Sequence, residues 1–228
     1  MNIAYYSKGY LAILVIIVLS LNACVMTEKE SRLQVAIKEK DELVQKYLED
    51  AGIKEKEFEI ILLAHKAEQL LTVYAKAKSA DDYKPVVEYP FCTFSGTLGP
   101  KLKEGDKQIP EGFYKIDRFN ERSKFYLSLG LDYPTLDDLK LADAKKPGSD
   151  IFIHGGCSSV GCIAISDDKI KELYLLALKS TKPIEVIILP FQYSKDNFQK
   201  HLKQYPEWES FWNALFKRFN AHSVSSWV

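Results

Sequence analysis

The sequence predicts a mainly β body of overall α+β class, a β-sandwich or barrel with an N-terminal amphipathic helix and C-terminal helices. Short β-branched and aromatic runs recur from Phe58 to Leu189, with turn formers between most of them. Only Asp167 to Lys179 interrupts that series with helical spacing, and apolar residues return every three to four positions in the segments flanking it at either end of the chain.

Taken in order, Leu11 to Leu21 is apolar apart from Ser20 and follows Lys8, which is a signal-peptide pattern. The run is too short for the roughly twenty residues of a stable span, so a permanent transmembrane helix is the weaker reading. Leu21-Asn22-Ala23-Cys24 resembles a bacterial lipobox. Residues 1–23 are thus expected to be removed and Cys24 to carry lipid, giving an exported protein of the cell envelope or periplasm tethered to a membrane. Residues 24–54 are expected to form a helical spacer or cover. Leu33, Ile37, Leu43, Val44, Tyr47 and Leu48 lie among many charges that suit a solvated stalk, and Gly52 ends the helix.

Residues 55–193 form the body. Strands are expected at 58–64, 69–74, 86–94, 112–119, 124–129, 151–154, 162–165 and 184–189. A helix at 167–179 has Asp167 and Asp168 in its first turn and Ile170, Leu173, Tyr174 and Ala177 on one face. Residues 194–228 form a helical extension, in which Phe211, Trp212, Leu215, Phe216 and Phe219 make a stripe that packs on the body. A carbohydrate platform is the alternative reading of that stripe.

The 228 residues are 46% hydrophobic, enough for a sizeable core, which excludes a disordered chain. Lysine plus arginine, 31, equal aspartate plus glutamate, 31. With no bulk basic field, nucleic acid is not an expected partner, and function must lie in a local site. Beyond Cys24 the chain has Cys92, Cys157 and Cys162, and an odd number in an oxidising compartment leaves at least one thiol unpaired within the chain.

The chemistry concentrates in Ile151-Phe-Ile-His154-Gly155-Gly156-Cys157-Ser158-Ser159-Val160-Gly161-Cys162-Ile163-Ala164-Ile165. Two apolar runs bracket a loop of small residues that lets backbone amides approach a ligand. An imidazole ends the first strand and a thiol begins the second, as cysteine nucleophilic catalysis requires: a base for the thiol and N–H groups for the oxyanion. Two alternatives remain at this point. His154, Cys157 and Cys162 could bind zinc, although they offer three local ligands and no Cys-x-x-Cys pair. Either cysteine could also be a structural half-cystine beside a core histidine.

The loop resembles the active-site motif of the YkuD-type L,D-transpeptidases, and more closely their YafK-like branch, through His154, Gly155, Cys157, Ser159, Gly161, Cys162 and Ala164. Phe91 to Lys101 and Gly105 to Tyr114 also look like that branch. The resemblance implies a mostly β catalytic domain with Cys162 as nucleophile, His154 as base, and Gly155, Ser159, Val160 and Gly161 shaping the loop and oxyanion site. Val160 stands where the larger family has a histidine. The implied reaction is attack on the bond between diaminopimelate and D-alanine in a peptidoglycan stem peptide, through a thioester. An amine on another stem, a protein lysine or water would resolve it, and branch members that cleave rather than join are the alternative. No metal or organic cofactor is implied. Pro110-Glu111-Gly112 reads most simply as a strand-entry turn, with direct substrate contact by Glu111 or Lys101 as the alternative. Cys92 and Cys157 are expected either to pair with each other or to line the site without acting as nucleophile; pairing of Cys157 with Cys162 would block the nucleophile. A non-catalytic wall-binding lipoprotein is the rival class.

Overall fold

The computed structural model describes residues 30–54 and 56–224. The expected signal peptide and Cys24 lie outside the described residues. The body contains α1 (Arg32–Asp50), β1 (Phe58–His65), β2 (Leu70–Ala77), β3 (Lys84–Pro90), β4 (Gly112–Asn120), β5 (Ser128–Leu131), β6 (Phe152–His154) and β7 (Ile163–Ala164). After these come α2 (Ser166–Lys179), β8 (Thr181–Leu189), α3 (Lys195–Gln204) and α4 (Glu209–Asn220). All eight strands join one mixed sheet in the order β3-β2-β1-β8-β4-β5-β6-β7, curled into a half-barrel. The mainly β, α+β class holds, with one sheet rather than two stacked ones.

Helices, not a second sheet, cover the faces. Because side chains alternate along a strand, Leu62, Val186 and Ile188 face a cluster with Ile170, Leu173 and Leu176 of α2 and Ala36, Val44 and Leu48 of α1. Ile61, Leu63, Ile187 and Leu189 face the other way, onto Phe198 of α3 and Trp212, Phe216 and Phe219 of α4. Burial on both sides explains why Ile60 to Ala64 and Val186 to Leu189 read as unbroken apolar runs. The aromatic stripe of α4 is core, with Trp212 fully buried, and not a carbohydrate platform.

The N-terminal helix is a cover and not a solvated stalk. Lys40 reaches Asp168 at 2.8 Å and Glu172 at 3.0 Å on α2, while Lys179 pairs with Asp41 at 2.6 Å. The Glu172 carboxylate is buried under these contacts and also accepts from the Tyr47 hydroxyl at 3.3 Å. α3 falls within the helical extension expected over 194–228, although no bounds of its own are legible in the sequence, because it buries only Phe198.

β4 carries the site away from the centre of the sheet. Gly112 to Lys115 pair with β8, the register shifts between Ile116 and Arg118, and the remainder pairs with β5. This bend leads through β5 to the short outer strands β6 and β7.

Candidate active site

Residues 155–162 join β6 to β7, which lie side by side and parallel. Parallel neighbours normally need a longer crossover. Here the strands are so short that the loop has only to retrace the length of one of them. The register pairs Ile153 with Ile163 and His154 with Ala164. Ile153 and Ile163 are fully buried in the core, so alternation turns His154 and Cys162 toward the opposite face as diagonal neighbours, within reach of long side chains. Both line one cleft of about 260 Å³, whose other walls include Ser123, Phe125, Asp150 and Phe152.

His154 is 1% exposed. Its Nδ1 lies 2.5 Å from the Gly155 carbonyl. A carbonyl only accepts, so Nδ1 carries the hydrogen and neutral Nε2 keeps its lone pair. Burial pulls the imidazole pKa below its ordinary value, against the opposing Gly155 hydrogen bond. Phe125 stacks on the ring with centroids 4.5 Å apart. Burial also pushes the Cys162 thiol up, opposed by the Phe152 N–H and by the Lys101 charge. The site thus favours a neutral thiol beside a neutral imidazole over a resting ion pair. The thiol lies 3.7 Å from the Asp150 carbonyl, and the Asp150 carboxylate is held by Arg118 at 2.9 Å.

The loop is pinned at several points. Cys92 and Cys157 form a disulfide, leaving Cys162 as the free cysteine among the described residues. This removes Cys157 from the zinc alternative. The Ser159 hydroxyl donates to the Cys162 carbonyl at 2.7 Å and accepts from the Cys162 N–H at 3.0 Å. Gly161 has φ +89°, and an added Cβ would lie 3.0 Å from the Gln108 carbonyl oxygen, so both its conformation and its surroundings favour glycine.

Three expectations need correction. The Gly155 N–H donates to the Leu127 carbonyl at 3.1 Å and is unavailable to an oxyanion. The Gly161 N–H is occupied as well, by the Ser95 hydroxyl at 2.7 Å, although a hydroxyl can rotate away where a backbone carbonyl cannot. Glu111 is buried with both carboxylate oxygens engaged: Oε1 with Lys66 at 2.9 Å and the Gly99 N–H at 2.7 Å, Oε2 with the Trp212 indole at 2.8 Å. It ties the fold together and does not face a substrate. Lys101 is also buried and held by Asp106 at 2.6 Å, so its positive field, not direct contact, reaches the site. Val160 sits on the loop with 68% of its surface exposed.

Sequence reasoning missed Phe125, Phe152, Asp150 and Ser95. Phe125 and Asp150 carry no local signal, since long-range pairing places them. Ser95 lay within a recognised segment, but its partner Gly161 lies on a distant part of the chain.

Residues 59–188 match the family model of the YkuD L,D-transpeptidase catalytic domain. Over 156 residues the chain is 32% identical to a protein of Escherichia coli strain K12 named "Putative L,D-transpeptidase YafK", and equally to its counterpart in E. coli O157:H7. The match takes in 66% of this chain and 61% of the relative, so the chain spans about three fifths of the length of the curated relatives it matches. Among solved structures, the helical cell shape determining protein Pgp2 from Campylobacter jejuni is 21% identical with a TM-score of 0.49, covering 68% of this chain and 58% of that one. Bd1075 from Bdellovibrio bacteriovorus is 22% identical with a TM-score of 0.44, covering 65% and 55%.

Proposed function

This chain belongs to the YkuD family of L,D-transpeptidase catalytic domains, and from that premise we propose that it performs cysteine-dependent acyl transfer on peptidoglycan stem peptides, at the bond between diaminopimelate and D-alanine. The observation that carries this reading is the convergence of Cys162 and His154 on one cleft, with Nδ1 of His154 committed to Gly155.

Nε2 takes the thiol proton as sulfur attacks the peptide carbonyl, which avoids maintaining a buried thiolate in the resting enzyme. The oxyanion displaces the hydroxyls of Ser159 and Ser95 from the N–H groups of Cys162 and Gly161, the two loop amides whose present acceptors can rotate. The carbon–nitrogen bond then breaks, the imidazolium returns the proton to the leaving D-alanine amine, and a thioester to Cys162 remains. An acceptor amine attacks the thioester, loses its proton to His154, and releases the sulfur as a thiol. The reading extends to an exported protein of the cell envelope, anchored through lipid on Cys24. The Cys92–Cys157 bridge supports an oxidising compartment.

The full chain in detergent, incubated with tetrapeptide-bearing muropeptides and followed by mass, tests the reaction. Loss of D-alanine with joined stems is expected, and Cys162→Ser should abolish both. Separated stems or released wall-bound protein would instead identify a hydrolase on the same residues. Intact substrate with retained binding would leave a non-catalytic wall-binding protein. A carbapenem should acylate Cys162, and an unmodified thiol would count against a transpeptidase-like site.

A further inference from the structure

A second cleft, of about 190 Å³, lies between the 97–108 segment and the connection between α3 and α4, lined by Trp208, Tyr205, Pro100, Gln108, Lys103 and Glu207 among others. Trp208 and Tyr205 are partly exposed, and the charges of Lys103 and Glu207 stand on the rim. Aromatic rings beside amide and charged groups suit a ligand with apolar C–H faces and a polar periphery.

This cleft is built into the molecule. Fully buried Lys66 donates to the carbonyls of Gly99 and Ile109 at 2.9 and 2.8 Å and pairs with Glu111. Those contacts hold both ends of the segment that makes one wall. Gly99, at φ +112°, presents bare backbone to the Trp208 indole, where an added Cβ would lie only 2.4 Å from Nε1. A wall fixed by buried, satisfied partners loses little conformational entropy when a ligand arrives.

The cleft also adjoins the Cys162 loop. Gln108 lines it, and the Gln108 carbonyl lies against Gly161. The Ser95 hydroxyl donates to the neighbouring Lys107 carbonyl while accepting from Gly161. One short segment therefore forms a wall of the cleft on one side and props the nucleophile loop on the other.

We propose that this cleft is a subsite for an N-acetylated sugar of the glycan strand that bears the stem peptide, with Trp208 stacking on the sugar ring. The proposal rests on the acyl-transfer reading and deepens it. A stem of three to four residues spans roughly 12 Å when extended, so a sugar held beside Gln108 would deliver its own stem to the neighbouring loop.

The test compares two donors on the full chain, a free tetrapeptide and the same tetrapeptide on its disaccharide, together with an NMR titration of the Trp208 indole by the peptide-free disaccharide. The expected result is a KM about tenfold lower for the disaccharide donor, the scale of one aromatic contact, and a disaccharide-dependent shift of the Trp208 signal. Trp208→Ala should remove the difference between donors while leaving kcat/KM for the free tetrapeptide unchanged. Equal KM values for both donors together with an unmoved indole would overturn the subsite and leave the reaction standing. An indole shift with no turnover of either donor would keep the subsite and overturn the reaction. The titration uses the unaltered protein, so it decides the matter even if Trp208→Ala fails to fold.

Discussion

The ring of Phe125 lies over the imidazole of His154, with centroids 4.5 Å apart and planes 27° from parallel. Phe125 is itself 43% exposed, so it acts as a cover with one side in solvent, and trimming it removes little core. Burial is the cause of the depressed His154 pKa. Phe125→Ala should admit water and move that pKa up toward its usual value. The base would then be lost at a higher pH, shifting the acid limb of the kcat/KM profile for muropeptide turnover upward, with little change in melting temperature. An unmoved limb would show that Phe125 does not set the state of His154.

The Cys162 thiol should behave as a weak acid. Burial raises its pKa above the ordinary thiol value of 9.0, while the Phe152 N–H and Lys101 act against that rise. The alkylation rate should climb through the alkaline range without a plateau near neutrality. Lys101→Met removes a favourable charge, so the rate at pH 7 should fall further, by a few fold. A rate independent of pH between 6 and 8 would indicate a resting thiolate and contradict this account.

Acid should weaken the fold through His65 at the end of β1. Its Nε2 is buried without a hydrogen-bond partner, and burial lowers its pKa from 6.5 to about 4. Between those values the unfolded chain binds the proton and the folded chain does not. The stabilisation is therefore complete above about pH 6.5 and is lost as the pH falls toward 4, by about 3 kcal/mol at most. Urea unfolding at pH 7.5 and 4.5 measures the loss, and His65→Leu should shrink the difference between the two. An equal difference in the variant would assign the acid sensitivity to other groups.

The buried Lys66–Glu111 pair should be costly to break on one side alone. Glu111→Ala leaves an uncompensated ammonium and removes the acceptor of the Trp212 indole, for a loss of roughly 3–5 kcal/mol in urea unfolding. Lys66→Met combined with Glu111→Leu should recover part of that loss, because no buried charge remains. A double variant as unstable as the sum of the singles would show that the two residues act independently.

The fold was legible where burial leaves a local pattern. Strands β1 and β8 announced themselves as apolar runs because both of their faces are covered, and α2 and α4 showed their helical period because one face of each meets the sheet. Helix α3 was covered by the helical extension expected over 194–228 but its bounds were not legible, since one buried phenylalanine makes no period. Glu111 misled because a carboxylate in a Pro-Glu-Gly turn looks solvated, while the partners that bury it, Lys66 and Trp212, come from distant parts of the chain. Helix α1 misled similarly: its many charges suggested water, yet several answer charges on α2.

By itself the sequence determined the strand-rich body, the bounding helices and the loop on which an imidazole and a thiol are candidates for one reaction, because alternation, helical period and small-residue spacing are local properties of the chain. Tertiary structure alone decided that the strands form one curled sheet, that Cys92 bridges Cys157, that Phe125 covers His154, and that Glu111 is buried. Each of those facts depends on which distant segments share a surface, and the composition of either segment taken alone does not encode that pairing.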